Sequence, residues 1–129
     1  MVEESVLQQV ERGLGVRFPE DYRRLVLSGD RVKGFFPPAD DFLELFAVED
    51  IVGINAAGEL QARFPGAVAI GGNGSRELLV YDFREPVPPL LLLDTVTEDW
   101  SEAIPQAASL TEFLHAFPER GWLWGVEDD

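Results

Sequence analysis

Apolar positions recur at helical spacing near both ends of the chain and at strand spacing in its middle. Val2, Val6, Leu7, Val10 and Leu14 share one helical face, and Gly15 suits a left-handed cap behind them. Phe18-Pro19-Glu20-Asp21-Tyr22 predicts a second helix start, because proline fits a first turn and two acids face the positive end of the helix dipole. Tyr22, Leu25 and Val26 give its buried stripe, and Ser28-Gly29-Asp30 ends it. Towards the other terminus, Ser109-Leu110-Thr111-Glu112 has the S-x-x-E form of a capping box. Leu110, Phe113, Leu114 and Phe117 follow on one face, with Pro118 expected to terminate the helix.

Between these helices the period changes. Gly34 to Asp41 reads as a loop, since Pro37-Pro38 opposes regular structure, and Phe42-Leu43-Glu44-Leu45-Phe46 reads as a short strand. A helix is expected from Glu49-Asp50, relaxing around Asn55 to Gly58 and resuming through Glu59 to Phe64, where Pro65-Gly66 stops it. Val68-Ala69-Ile70, the turn Gly71-Gly72-Asn73-Gly74-Ser75 and the run Glu77 to Phe83 predict a hairpin, Asn-Gly supplying the positive φ angles. Leu79, Tyr81 and Phe83 alternate with Leu78, Val80 and Asp82, which puts one set in the core and leaves the other mostly covered. Leu90 to Leu93, after Pro88-Pro89, reads as a strand buried on both faces. Trp100 to Ile104 is a candidate strand ended by Pro105. Alternation puts Trp122 and Trp124 on one face of a final short strand, packed on the body.

Strands joined by tight antiparallel connections, with no helix between them, predict an α+β fold over residues 1–129 as a single domain. It is mainly an antiparallel sheet with an N-terminal helix pair, a middle helix and a C-terminal helix packed around it. At 129 residues, 46% hydrophobic and 11% aromatic, the chain has material for a real core. The absence of cysteine excludes disulfides, thiolate zinc sites and cysteine nucleophiles. The acidic start Met1-Val2-Glu3-Glu4 has no apolar signal region, and no apolar run approaches a membrane span, so a cytoplasmic protein is expected.

Charge narrows the class of partner. The first 33 residues hold six acids and six bases, whereas Gly34 to Asp129 hold 18 acids against Arg63, Arg76, Arg84 and Arg120. The whole formal charge of −14 therefore arises after residue 33. Such a field repels nucleic-acid phosphates and anionic lipid, and it steers cationic partners inward. Neither direct nucleic-acid binding nor membrane binding is expected.

With these elements placed, the chain resembles the SUKH superfamily, named partly after a yeast cell-wall assembly regulator. Phe18-Pro19-Glu20-Asp21-Tyr22-Arg23-Arg24-Leu25-Val26, after a helix ending in Leu14-Gly15-Val16, is similar to the family's "lPedYrefL" segment. Leu43-Glu44-Leu45-Phe46-Ala47-Val48-Glu49-Asp50-Ile51 resembles its "LeLwpleEI" step from strand to helix. Phe64-Pro65-Gly66 followed by Ile70-Gly71-Gly72-Asn73-Gly74-Ser75-Arg76-Glu77 resembles "fpG…iGsnGgGe". Tyr81-Asp82 and Ser109-Leu110-Thr111-Glu112-Phe113-Leu114 fall where the family has a hydrophobic residue with Asp and the closing "sfeeFL". Ser75-Arg76 depart from the glycines common in that loop; Asp94 to Ala108 and the chain after Phe117 have no counterpart in the pattern, which makes them candidates for member-specific recognition. The resemblance implies a non-enzymatic binding module. Many bacterial members resemble immunity proteins that neutralise a cognate toxin, often one acting on nucleic acid, and eukaryotic relatives resemble regulatory proteins. It carries over no catalytic residue and no cofactor.

Readings from chemistry alone agree. His115 is the only histidine and has no cysteine to share a zinc ion, so neither a metal site nor a general base is placed there. The glycines of 71–75 precede a strand and lack the lysine of a phosphate loop, so they read as a turn. The acid pairs lack the alternating spacing of a calcium loop. Glu49-Asp50 are explained by a helix start, whereas Asp40-Asp41 and Glu98-Asp99-Trp100-Ser101-Glu102 have no such local role. An aromatic within an acidic rim has the composition of a binding hot spot, although Trp100 reads equally well as core. The candidate partner-binding residues are therefore Asp40, Asp41, Glu44, Glu98, Asp99, Trp100 and Glu102, and the expected partner is a protein, in particular a basic toxin domain. Two alternatives stand beside this: a regulatory or scaffold module with an endogenous partner, and a small hydrolase whose paired carboxylates face one pocket.

Overall fold

The structure, a computed structural model, describes residues 3–57, 60–94 and 97–124. Val2, Gly58, Glu59, Thr95 and the acidic tail Glu127-Asp128-Asp129, all used in the sequence reading, lie outside the described residues. The elements run α1 (Glu4–Leu14), α2 (Glu20–Ser28), β1 (Lys33–Phe36), β2 (Asp41–Leu45), α3 (Val48–Ala57), α4 (Leu60–Arg63), β3 (Ala67–Gly72), β4 (Leu78–Asp82) and β5 (Leu90–Leu93). A 3₁₀ turn (Trp100–Glu102), β6 (Ile104–Ala107) and α5 (Leu110–Arg120) complete them. Every strand pairs antiparallel with its neighbour in sequence, giving one curled sheet in the order β1-β2-β3-β4-β5-β6. This is the expected α+β architecture.

Alternation along the strands divides the core between the two faces of the sheet. Leu43, Leu45, Val68, Ile70, Leu79, Tyr81, Leu90 and Leu92 meet Leu7 and Val10 of α1, Tyr22 of α2, Ile51 of α3, and Phe113 and Phe117 of α5. Ala67, Ala69, Val80 and Leu93 turn to the other face, beneath Leu60 and Phe64, with Trp100 against them. The run of four leucines is covered on both faces, as predicted. Asn55 fastens α3 to the sheet: its Nδ2 donates to Ile51 O at 2.9 Å and Ala69 O at 3.1 Å, and its Oδ1 accepts from Ala69 N at 2.9 Å.

Local signals hold at several ends. Gly15 is left-handed at φ 73° and donates to the carbonyls of Glu11 and Arg12. Ser109 Oγ accepts from Glu112 N at 3.1 Å, the predicted cap of the last helix.

Five expectations are corrected. Gly34-Phe35-Phe36 belongs to strand β1 rather than to a loop, because pairing with β2 supplies main-chain bonds that local composition does not announce. The strand expected at Trp100 to Ile104 begins at Ile104 and passes through Pro105; β6 is an edge strand, the place in a sheet where a proline is tolerated. Pro118 does not end α5, which continues to Arg120; in the last turn a proline forfeits a single helical bond, and its carbonyl accepts from Ala39 N at 2.9 Å. In the β3–β4 turn Gly74 alone has positive φ, while Asn73 turns the chain by accepting from Ser75 N and donating to Glu77 Oε1. Trp122 is buried, but Trp124 is 46% exposed and no strand forms there, so the two indoles do not share a face.

Candidate functional site

The two acidic segments occupy different parts of the sheet. Asp40 and Asp41 close the turn between β1 and β2. Asp40 is exposed, with φ 62°, a conformation Asp tolerates better than most residues, and its N–H donates to Phe36 O at 2.7 Å. Asp41 is half-buried and turned inward: its Oδ2 accepts from Trp122 N at 2.9 Å, against Gly121. Glu44 lies further along β2 and has Lys33 Nζ 3.9 Å away.

Glu98 to Glu102 follow β5 and fold over the smaller core. Asp99 caps the 3₁₀ turn, its Oδ1 accepting from Ser101 N at 2.8 Å and from the Ser101 hydroxyl, which holds the Asp99 carboxyl below its usual range. Glu102 Oε1 accepts from Glu98 N at 2.8 Å, so this acid reinforces the same loop. Trp100 is half-buried: its ring meets Phe64 edge-on at 5.7 Å and its Nε1 donates to Pro65 O at 3.1 Å. The Arg84 guanidinium covers the indole at 4.1 Å. Trp100 is therefore a fastening for the loop, with Glu98, Asp99 and Glu102 exposed around it. Among the described residues no bond joins this loop to Asp40 or Asp41. Strands β2 and β5 are three spacings apart, about 14 Å along the sheet.

Arg84 is the residue that sequence reasoning missed. Its Nε and Nη2 hold the two carboxylate oxygens of Asp82 at 2.9 Å each, which lowers the Asp82 pKa and raises that of Arg84. An arginine two residues beyond an aspartate hints at that pair, but nothing local announces Trp100 as the third member. Two more of the late arginines hold segments together. Arg63 Nη2 donates to Thr97 O at 2.8 Å, and Arg120 Nη2 donates to Gln106 O at 2.5 Å. The acids at the surface therefore have little cationic cover.

The remaining candidates have structural accounts. A Cβ on Gly71 would overlap Glu44 O, one on Gly72 would lie 2.5 Å from Glu77 O, and one on Gly74 would lie 2.8 Å from the Phe42 ring. These glycines thus permit close packing of main chain, and no helix start follows them to cradle a phosphate. His115 is exposed on α5. Among the described residues no group of His, Asp and Glu is arranged to hold a metal ion. A hollow of about 240 Å³ between α2 and the start of α3 is walled by Tyr22, Val26, Val32 and Phe46, with Asp30 and Glu49 in its lining. Both carboxylates are exposed rather than enclosed in the hollow. The Tyr22 and Tyr81 hydroxyls are buried with no partner among the described residues, and burial pushes both pKa values up. No helix is long and apolar enough to cross a membrane among the described residues.

Comparison with curated proteins finds no match. A family model does match, over residues 1–116, which takes in residues 94–108 and stops short of the Trp122 segment. With the helix pair, the strand-to-helix step at Val48, the glycine hairpin and the capped start of the last helix all inside that match, the chain belongs to the SMI1 / KNR4 family (SUKH-1).

Proposed function

We propose that this protein is a non-enzymatic immunity protein that binds and neutralises a basic toxin domain, one whose own substrate is nucleic acid. SUKH proteins serve in toxin immunity or as cell-wall regulators and are generally non-catalytic. The observation that carries the choice is electrostatic: all of the −14 charge follows residue 33, and three of the four later arginines are engaged within the fold. A nuclease surface is basic because its substrate is a polyanion, and exposed carboxylates on loops fastened to the sheet can occupy that surface in place of phosphates. Asp40, Glu44, Glu98, Asp99 and Glu102 supply the charge, while Asp41 and Trp100 hold the two loops that present it.

The regulatory reading is favoured by the same family membership, and one experiment separates the two. The chain is co-expressed with the product of the adjacent gene, scoring rescue of growth and recovery of a stable complex. Rescue with a complex is the expected result. An adjacent gene whose product is harmless and does not bind would favour an endogenous partner instead.

A further inference from the structure

The two edges of the sheet are treated differently. On β6, Pro105 has no N–H to offer, and Gln106 is bound along its length by the C-terminal segment. Its Nε2 donates to Leu123 O at 2.8 Å, its Oε1 accepts from Leu123 N at 3.1 Å, and its carbonyl accepts from Arg120. This edge is closed by a proline and a covering segment.

The β1 edge is open. Leu45 N donates to Val32 O at 2.8 Å, and Trp122 Nε1 reaches Phe42 O at 2.9 Å on the side of β2 away from β1. Those two bonds fix the parity of the ladder. Val32, Gly34 and Phe36 direct their main-chain groups at β2, so Lys33 and Phe35 direct theirs outward. Among the described residues nothing bonds those two N–H and two C=O groups. The side chain of Phe35 is 67% exposed and meets Phe42, its cross-strand partner, at 5.2 Å between ring centres. Unpaired main chain and an exposed phenyl, set against the half-buried Phe42 of β2, thus coincide on one short strand, with Asp40 in the adjoining turn and Glu44, 3.9 Å from Lys33, on the same face.

We infer that the β1 edge takes up an extended, cationic segment of a partner protein as a seventh strand, with Phe35 and Phe42 as its side-chain platform; this rests on the binding-module reading above. Strand addition supplies affinity through main-chain bonds and specificity through alternate side chains. Charge selects the occupant. Two copies carrying −14 each repel, which disfavours pairing β1 with itself, whereas a segment alternating basic and apolar residues can lay its basic set on the face shared by Phe35, Phe42 and Glu44, guanidinium over ring and beside carboxylate, and its apolar set on the Phe36 face.

The test is amide hydrogen exchange by NMR, using as probe a peptide of about ten residues alternating arginine and valine. At saturation the Lys33 and Phe35 N–H groups are expected to slow about tenfold, while Gly34 and Phe36, already bonded to β2, barely change. A Glu-Val peptide should protect neither, a peptide N-methylated along one edge should fail to bind, and Phe35→Ala should weaken binding several-fold without unfolding the protein. Unchanged exchange at Lys33 and Phe35 would overturn the inference, as would equal protection by the Glu-Val peptide. Protection that grows with protein concentration alone would replace the partner segment with a second copy and overturn the assignment. Failure here is distinct from failure of the immunity reading. A toxin complex in which the β1 amides still exchange freely would refute strand addition and leave immunity intact; protection without rescue from any toxin would do the reverse.

Discussion

Arg23 Nε lies 3.0 Å from Glu11 Oε2, and both side chains are buried. The same carboxylate oxygen accepts from Phe18 N at 2.8 Å, and the guanidinium reaches on to Glu4. One ion pair therefore ties α1 to α2 and satisfies the main chain that enters α2. It also explains part of the neutral N-terminal charge balance: these residues serve each other.

Removing one member leaves the other charged and buried. Glu11→Ala is expected to lower the unfolding free energy by about 3 kcal/mol, because it leaves the buried Arg23 with Glu4 alone and strands the Phe18 N–H. The double substitution Glu11→Leu with Arg23→Met should lose less than the sum of the single changes. Urea denaturation of the four proteins in the cycle measures this.

The Asp82–Arg84 pair makes stability depend on pH. Because the folded pKa of Asp82 is depressed, the pair's contribution is present above the unfolded value of about 4 and is lost as pH falls through the lower folded value. Asp82→Asn should cost about 1 kcal/mol at pH 7, a modest figure because Arg84 is half-exposed, and this difference from the parent should vanish in strong acid. Urea melts from neutral pH into the acid range, followed by tryptophan fluorescence, provide the readout.

Asn55 serves both the N–H and the C=O of Ala69 at the point where β3 bulges towards Gly71. Asn55→Leu is expected to destabilise the protein by about 2–4 kcal/mol, through two buried main-chain groups left unpaired. Exchange of the Ala69 amide should rise with it, which locates the effect.

Two glycines should respond in opposite directions. Gly71→Ala drives a methyl into Glu44 O, with Leu45 Cδ2 only 2.9 Å away, so the β2–β3 pairing must open and a loss above about 3 kcal/mol is expected. Gly53→Ala lies inside α3 with open space around its Cβ, and it should stabilise by about 0.5–1 kcal/mol. Thermal melts of the two variants suffice.

For the proposed partner surface, amide replacements remove charge while keeping the loop bonds. Asp40→Asn, Glu98→Gln, Asp99→Asn and Glu102→Gln combined should slow association with a basic partner about tenfold at low ionic strength and flatten its salt dependence, with dissociation little altered. Stopped-flow rates over a range of salt concentrations check this, and unchanged rates would move the surface elsewhere.

Much of the fold was legible because its signals are local. The glycine after Leu14, the capping serine at 109 and the alternation from Leu78 to Phe83 each act within a turn or a single strand. The glycine loop was legible as a turn for the same reason, since a strand rather than a helix follows it. The candidate site was legible only as composition. Nothing near Trp100 announces Arg84 above its ring, and nothing near Asp41 announces Trp122, because both pairs are made by segments that meet only when the sheet curls.

The amino-acid order by itself determined the helix starts, the α+β class and the location of the excess charge, since these depend on periodicity, capping and counting within short windows. The tertiary structure decided which carboxylates stay at the surface, that Trp100 fastens a loop, and that Gly34-Phe35-Phe36 is an edge strand with main-chain groups to spare. Those outcomes depend on partners far along the chain, and strand pairing uses main-chain groups that nearly every residue shares, so no local pattern encodes them.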